Sequence, residues 1–276
     1  MPLLLESQFP AFDYDNAFFM VNACELAEQN DDALKTEAVK LLGMDEDSIV
    51  PFHVVGEEDD DPTDYRGFVG TREDAAILAF RDVPNIDHWL TDEMCEQKPS
   101  YGGMIHKGFA EALDSVWSLH GDEIQGALEG KTVFVTGHGL GGALAVLAAS
   151  KLNTNGVAVQ QVYTFGCPRV GNMDFYHNYE IQTYRVVNYN DIYTHVPAEI
   201  VSVRGFHLYT YAHVGALIHF DRFKQREGEL DWNLKKQIIL EQLLKVGQPP
   251  SAWFQDHHIT AYREILEQFH EPDEEE

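Results

Sequence analysis

The chain has 276 residues, of which 44% are hydrophobic and 12% aromatic, a composition that excludes a disordered chain and a small disulfide-stapled scaffold. Asp and Glu number 46 against 19 Lys and Arg, and the formal charge of -27 sets up a field that repels phosphate backbones and so excludes nucleic acid as a partner. The same acid excess fits a salt-rich setting or simply a strongly solvated surface.

The first residues, Met1-Pro2-Leu3-Leu4-Leu5-Glu6, offer three leucines and then a charge, with no basic stretch before them. This is not the pattern of a Sec leader, and no apolar run approaches the roughly 18 residues that a membrane span requires. The expected compartment is the cytoplasm, with non-Sec export as the alternative, and the protein is not expected to be integral to a membrane. Over residues 17–42, Phe19, Ala23, Leu26 and Ala27, then Leu34, Ala38, Leu41 and Leu42, recur at helical spacing and predict two helices broken around Asn30-Asp31-Asp32. An acidic run at 57–61, closed by Pro62, reads as a solvated loop, and the tail at 271–276 as a fraying acidic end.

Between these ends, short β-rich runs alternate with helical stretches. Strands are predicted at 67–70, 75–80, 132–136, 161–165, 183–187 and 206–212, and helices at 106–128 and 140–152. Runs as apolar as Ala75-Ala76-Ile77-Leu78-Ala79-Phe80 require a sheet covered on both faces. The fold class is therefore α/β, a mostly parallel central sheet flanked by helices, in one domain over residues 10–270. Cys24, Cys95 and Cys167 are odd in number and have no metal-like spacing, so they are read as reduced, buried residues. His106, His195, His213 and His219 lack companions at ligand spacing, and neither a metal nor a cofactor is expected.

The segment Val135-Thr136-Gly137-His138-Gly139-Leu140-Gly141-Gly142 is an apolar strand, a glycine-dense turn and the start of an Ala/Leu helix. That is the setting of a nucleophile elbow, in which small residues at 137 and 141 let strand and helix backbones approach. A phosphate-binding loop is the rival reading, and it lacks the Lys-Ser/Thr pair needed to grip a nucleotide.

These residues resemble the elbow of the class 3 (fungal-type) lipases of the α/β-hydrolase superfamily. Tyr163-Thr164-Phe165-Gly166-Cys167-Pro168-Arg169-Val170-Gly171-Asn172 and Arg185-Val186-Val187-Asn188-Tyr189-Asn190-Asp191-Ile192-Tyr193-Thr194-His195-Val196-Pro197 are similar to signatures of that family. So are Ala79-Phe80-Arg81, His88-Trp89-Leu90-Thr91-Asp92, Ile105-His106-Lys107-Gly108-Phe109, His213-Val214-Gly215 and Asp256-His257-His258-Ile259-Thr260-Ala261-Tyr262. The resemblance implies a lipid or acyl-ester ligand, Asp191 and His257 as a catalytic pair, a nucleophile at position 139, oxyanion donors at Val83 and Leu140, and a lid over about 89–104. His258 is the rival to His257, and the spacing to Tyr262 favours His257. His138 is expected to pack and hydrogen-bond.

Two departures from the family pattern stand out. Position 139, where the family carries its nucleophilic serine, is Gly139, and a glycine has no oxygen for a base to activate. After Arg81, where the family carries Gly-Thr or Gly-Ser, the chain has Asp82-Val83. The hydroxyl that would bond the oxyanion is gone, and a carboxylate facing the site would oppose developing negative charge. Three readings follow: an ester or lipid hydrolase scaffold inactivated at its nucleophile, a lipid-binding pseudoenzyme, and a different reaction run by Asp191 and His257 as general base with Asp82 as acid.

Overall fold

The computed structural model describes residues 12–56, 64–83, 95–203, 207–221, 223, 226–227 and 255–270. The acidic loop at 57–61, the segment His88–Asp92 and the tail lie outside these residues. The predicted helix pair is present as α1 (Tyr14–Leu26) and α2 (Asp31–Leu42). Each begins on a side-chain cap: Asp13 accepts from the Asn16 amide at 2.9 Å and Asn30 from the Ala33 amide at 3.2 Å. The break at Asn30 is therefore the start of α2, and Gly43 ends that helix in the left-handed conformation, φ 60°.

The central sheet has eight strands. In chain order these are β1 (Val50–Val55), β2 (Asp64–Arg72), β3 (Ala75–Phe80), β6 (Thr132–His138), β7 (Val159–Phe165), β8 (Thr183–Asn188), β11 (Ala216–Phe220) and β12 (Arg226–Glu227). They lie side by side in that order: β1, β2 and β3 are antiparallel, the run from β3 to β11 is parallel, and β12 closes the far edge antiparallel. The hairpin of β4 (Gln97–Ser100) and β5 (Gly103–His106) leads into α3 (Lys107–Leu128), the elbow helix α4 (Leu140–Thr154) follows β6, α5 (Met173–Asn178) follows β7, and α6 (Ile259–Glu267) ends the described chain.

Alternation along β3 divides the core. Leu78 and Phe80 face α3 and α4, together with Val133 and Val135, whereas Ile77 and Ala79 face α1 and α6 with Tyr163, Phe165 and Tyr262. Burying each large apolar side chain contributes about 1.5 to 3 kcal/mol, which is what keeps both helix layers on the sheet. Cys167 lies in the first layer and Cys24 in the second; both thiols are free, and burial pushes each up to about 12.

The strand expected at 206–212 is present over 207–210, but it lies outside the central sheet. β10 (His207–Thr210) pairs with β9 (Ile200–Val203) in a separate antiparallel ribbon, and Leu208 is exposed. The sheet position beside β8 is taken instead by β11, whose Ile218 and Phe220 are buried. Of the lid predicted over about 89–104, 89–94 lies outside the described residues, and the remainder belongs to the β4–β5 hairpin and the residues leading into it, pinned by the Tyr211 hydroxyl donating to the Cys95 carbonyl at 2.7 Å.

Candidate active site

The elbow forms because β6 and α4 cross at glycines. A Cβ at Gly137 would collide with the Gly141 carbonyl, and one at Gly141 with the Arg81 carbonyl. Between them Gly139 adopts φ 53°, ψ -124°, a conformation that glycine holds at little cost. With no side chain at 139, α4 has no cap from its own residue.

The cap comes from the neighbouring strand. Parallel pairing sets Phe80 opposite Gly137, so two residues further on Asp82 comes level with Gly139. Its Oδ1 accepts the Leu140 amide at 2.9 Å. A Cβ built on Gly139 would fall on the Asp82 carboxylate and lie 2.9 Å from His257 Nε2. The carboxylate thus fills the space of the absent side chain, and it holds the amide that the resemblance assigns to oxyanion binding. Val83, the other expected donor, is buried in the adjoining core.

His257 lies on the far side of this carboxylate. Its Nε2 is 3.4 Å from Asp82 Oδ2, an ion-pair approach without an aligned hydrogen bond. Its Nδ1 is held by Asp191, at 2.8 Å from Oδ2 and 3.0 Å from Oδ1. Asp191 is fully buried and also accepts from the Tyr262 hydroxyl at 2.5 Å and the Tyr193 amide at 2.9 Å. The imidazole lies between two rings, Tyr193 stacked at 3.6 Å and His138 at 4.6 Å. His138 Nε2 donates to the His257 carbonyl at 2.6 Å, which fixes the His138 tautomer.

Electrostatics follow from this packing. Burial opposes charge on His257, but Asp191 and then Asp82 outweigh it and raise its pKa to about 10. Burial and the His257 cation together push His138 down to about 4, so that ring is neutral. Burial alone would raise Asp82, yet contact with His257 holds its carboxyl below the usual range. Asp82, expected as a possible site acid, stands beside the His257 ring at ion-pair distance. Asp82, His138 and His257 bring one potential metal-binding atom each within 4.8 Å, but the two imidazoles are stacked instead of converging and the third group is ion-paired.

Three further histidines bond to the backbone. His106 Nδ1 accepts the Phe109 amide at 3.3 Å, His213 Nε2 lies 2.8 Å from the Thr194 carbonyl and His219 Nε2 lies 2.9 Å from the Tyr189 carbonyl. His195 is buried, and His258 is exposed at the start of α6. Sequence reasoning passed over Gly166, whose φ is 63° and where a Cβ would stand 2.6 Å from Asp191 Oδ2 and 2.8 Å from His257 Nδ1. Its signal was the Phe165-Gly166-Cys167 turn directly after an apolar strand.

A family model for the class 3 lipases matches residues 77–201, which include most of β3, the elbow and Asp191. Over 138 residues the chain is 33% identical to a secreted mono- and diacylglycerol lipase of Fusarium solani, covering 46% of this chain and 41% of that protein. Over residues 77–201 the chain is similar to the class 3 lipases. A lipase of Rhizomucor miehei is 34% identical over 145 residues, 46% of this chain and 39% of that one. The chain spans about two fifths of the length of such curated relatives. Among solved structures, the mono- and diacylglycerol lipase of Aspergillus oryzae superposes with a TM-score of 0.60 over 92% of this chain and 100% of that one, at 20% identity, a likeness of fold. The α/β-hydrolase fold is thereby established. The expectation of a cytoplasmic protein is overturned by the same comparison, since the Fusarium relative is secreted.

Proposed function

We propose that this class 3 lipase scaffold, one domain over residues 10–270, takes a neutral acyl-ester or lipid ligand and carries no serine acyl-enzyme chemistry. The observation that carries the reading is the carboxylate of Asp82 in the space of the residue 139 side chain, bonded to the Leu140 amide. An acyl substrate attacked there would lack both a nucleophile and one oxyanion donor, and losing such a donor alone costs about 3 to 4 kcal/mol of transition-state stabilisation. A neutral ligand is favoured because the site already holds two carboxylates and the chain carries a net charge of -27. Among the described residues no helix is long and apolar enough to cross a membrane, so the ligand is met from the aqueous side or at a surface. The retained Asp191–His257 pair does not serve as a base in the resting site, because two carboxylates keep the imidazole charged.

The test is treatment with a fluorophosphonate, followed by intact-mass measurement and by solvent extraction of the purified protein. The expected outcome is no covalent adduct and a co-purifying neutral lipid or acyl ester. A stoichiometric adduct on any serine would sink the proposal.

A further inference from the structure

We infer that Asp82 is itself a nucleophile, a carboxylate delivered from the neighbouring strand into the place of the missing elbow side chain, and that it acts on a saturated carbon bearing a leaving group that departs as an anion. The inference goes beyond the lipid-ligand reading, although both start from the Asp82 carboxylate in the space of the residue 139 side chain. Four observations carry it. The Asp82 carboxylate overlaps the position of a side chain at 139. One of its oxygens is bonded to the elbow amide while the other faces the Nε2 of His257, which has no hydrogen-bond partner. Asp191 backs that imidazole through Nδ1. The Asp82 side chain keeps 19% of its surface exposed, against 6% for that of His257.

The hydrogen bond to Leu140 selects the type of carbon. Attack on an acyl carbonyl would develop an oxyanion on the substrate, and the amide that should receive it is already bonded to Asp82 Oδ1. Displacement at a saturated carbon develops no such oxyanion. Asp82 Oδ2 forms the new C–O bond as the carbon–halogen bond breaks and halide leaves with the bonding pair, giving an alkyl ester on Asp82. The carboxylate charge is then gone, and His257, left with Asp191 alone, releases its proton to solvent. Neutral His257 next takes a proton from water as the water oxygen adds to Asp82 Cγ, and the charge that develops on Oδ1 is held by the same Leu140 amide. Collapse expels the alkoxide, which takes the proton back from His257. An alkyl halide and water thus give an alcohol, halide and a proton, and Asp82 keeps one oxygen from water.

The probes are n-hexyl bromide and n-hexyl iodide, incubated with the full chain in heavy-oxygen water. Expected are halide release, hexanol, and heavy oxygen in the peptide that carries Asp82, with other carboxylates unlabelled. In the His257→Gln variant, ester hydrolysis should fall at least about a hundredfold, and one hexyl group per chain should accumulate on Asp82. The Asp82→Asn variant should release no halide. The labelling of the unaltered chain decides the matter even if a variant fails to fold. Neither halide labelling Asp82, or hexanol formed with Asp82 left light, would overturn the inference and leave the carboxylate as a helix cap and plug. That result would not touch the lipid-ligand proposal, which stands or falls on the fluorophosphonate and extraction experiments.

Discussion

His257 is flanked by two carboxylates whose surroundings differ. Asp191 is fully buried, takes the imidazole on both oxygens, and accepts from Tyr262 and Tyr193 besides. Asp82 is partly open to solvent, with one amide on Oδ1 and the imidazole 3.4 Å from Oδ2. On the Asp191 side, strand end, short helix and terminal helix converge on one group, so the pair is built into the fold. On the Asp82 side, a carboxylate has filled a gap opened by Gly139 and can be withdrawn without dismantling the core. In this chain the Asp191 side is held by several elements, and the Asp82 side rests on one amide and one ion-pair contact.

The comparison breaks first if Asp191 proves dispensable. Replacing it by alanine strands a buried imidazolium and two donors, and the expected loss is about 3 to 5 kcal/mol in urea unfolding. A loss comparable to that of Asp82→Asn would show that the two sides are not different in kind.

The two sides can also be separated by pH. The folded pKa of His257 is raised from 6.5 to about 10, so its charge contributes stability that is fully present below 6.5 and is lost as pH climbs through about 10. The lowered carboxyl of Asp82 contributes above its ordinary 3.8, and that contribution is lost as pH falls through its folded value. Both describe one ion pair and count once. Unfolding midpoints should therefore decline on the alkaline side, and Asp82→Asn should flatten that limb while moving the His257 NMR titration towards neutrality. An unchanged titration would mean that Asp191 alone holds the proton.

A smaller effect is expected at the elbow. Gly139→Ser places a Cβ on the Asp82 carboxylate at a positive φ, which should cost about 1 to 3 kcal/mol in thermal unfolding. Adding Asp82→Gly should recover part of that loss, so that the double variant is more stable than the sum of the two single changes. It should also acquire fluorophosphonate labelling that neither single variant shows. Simple additivity would remove the claim that the two positions share one space. The smallest change is Tyr262→Phe, which takes one donor from Asp191 and should cost about 1 to 2 kcal/mol by the same measurement.

Much of this was legible from the sequence because its physics is local. The bounds 75–80 of β3 follow from an uninterrupted apolar run, and the helix break from a capping asparagine. The glycines at 137 and 141 follow from the strand–turn–helix pattern, and Asp191 and His257 from the resemblance to a known family. By contrast, β1 was missed because Pro51 and His53 interrupt its apolar pattern, and β11 because its inner residues are few and include His219. The ion pair of Asp82 with His257 was out of reach because it depends on register: only the pairing of Phe80 with Gly137 brings residue 82 beside residue 139. The bare position at one strand end and the carboxylate at its neighbour share one space, and sequence order separates them by 57 positions.

Two of the three buried thiols, Cys24 and Cys167, lie one in each helix layer and give the molecule a record of its own opening. A thiol whose pKa lies near 12 is almost all protonated at neutral pH, so a soluble disulfide reagent attacks Cys24 or Cys167 only once the helices above it lift from the sheet. The rate at which each thiol is captured therefore clocks the separation of its own layer. Equal rates would mean that both faces part in one cooperative step, and unequal rates would mean that one helix layer detaches while the other, with the sheet, stays folded.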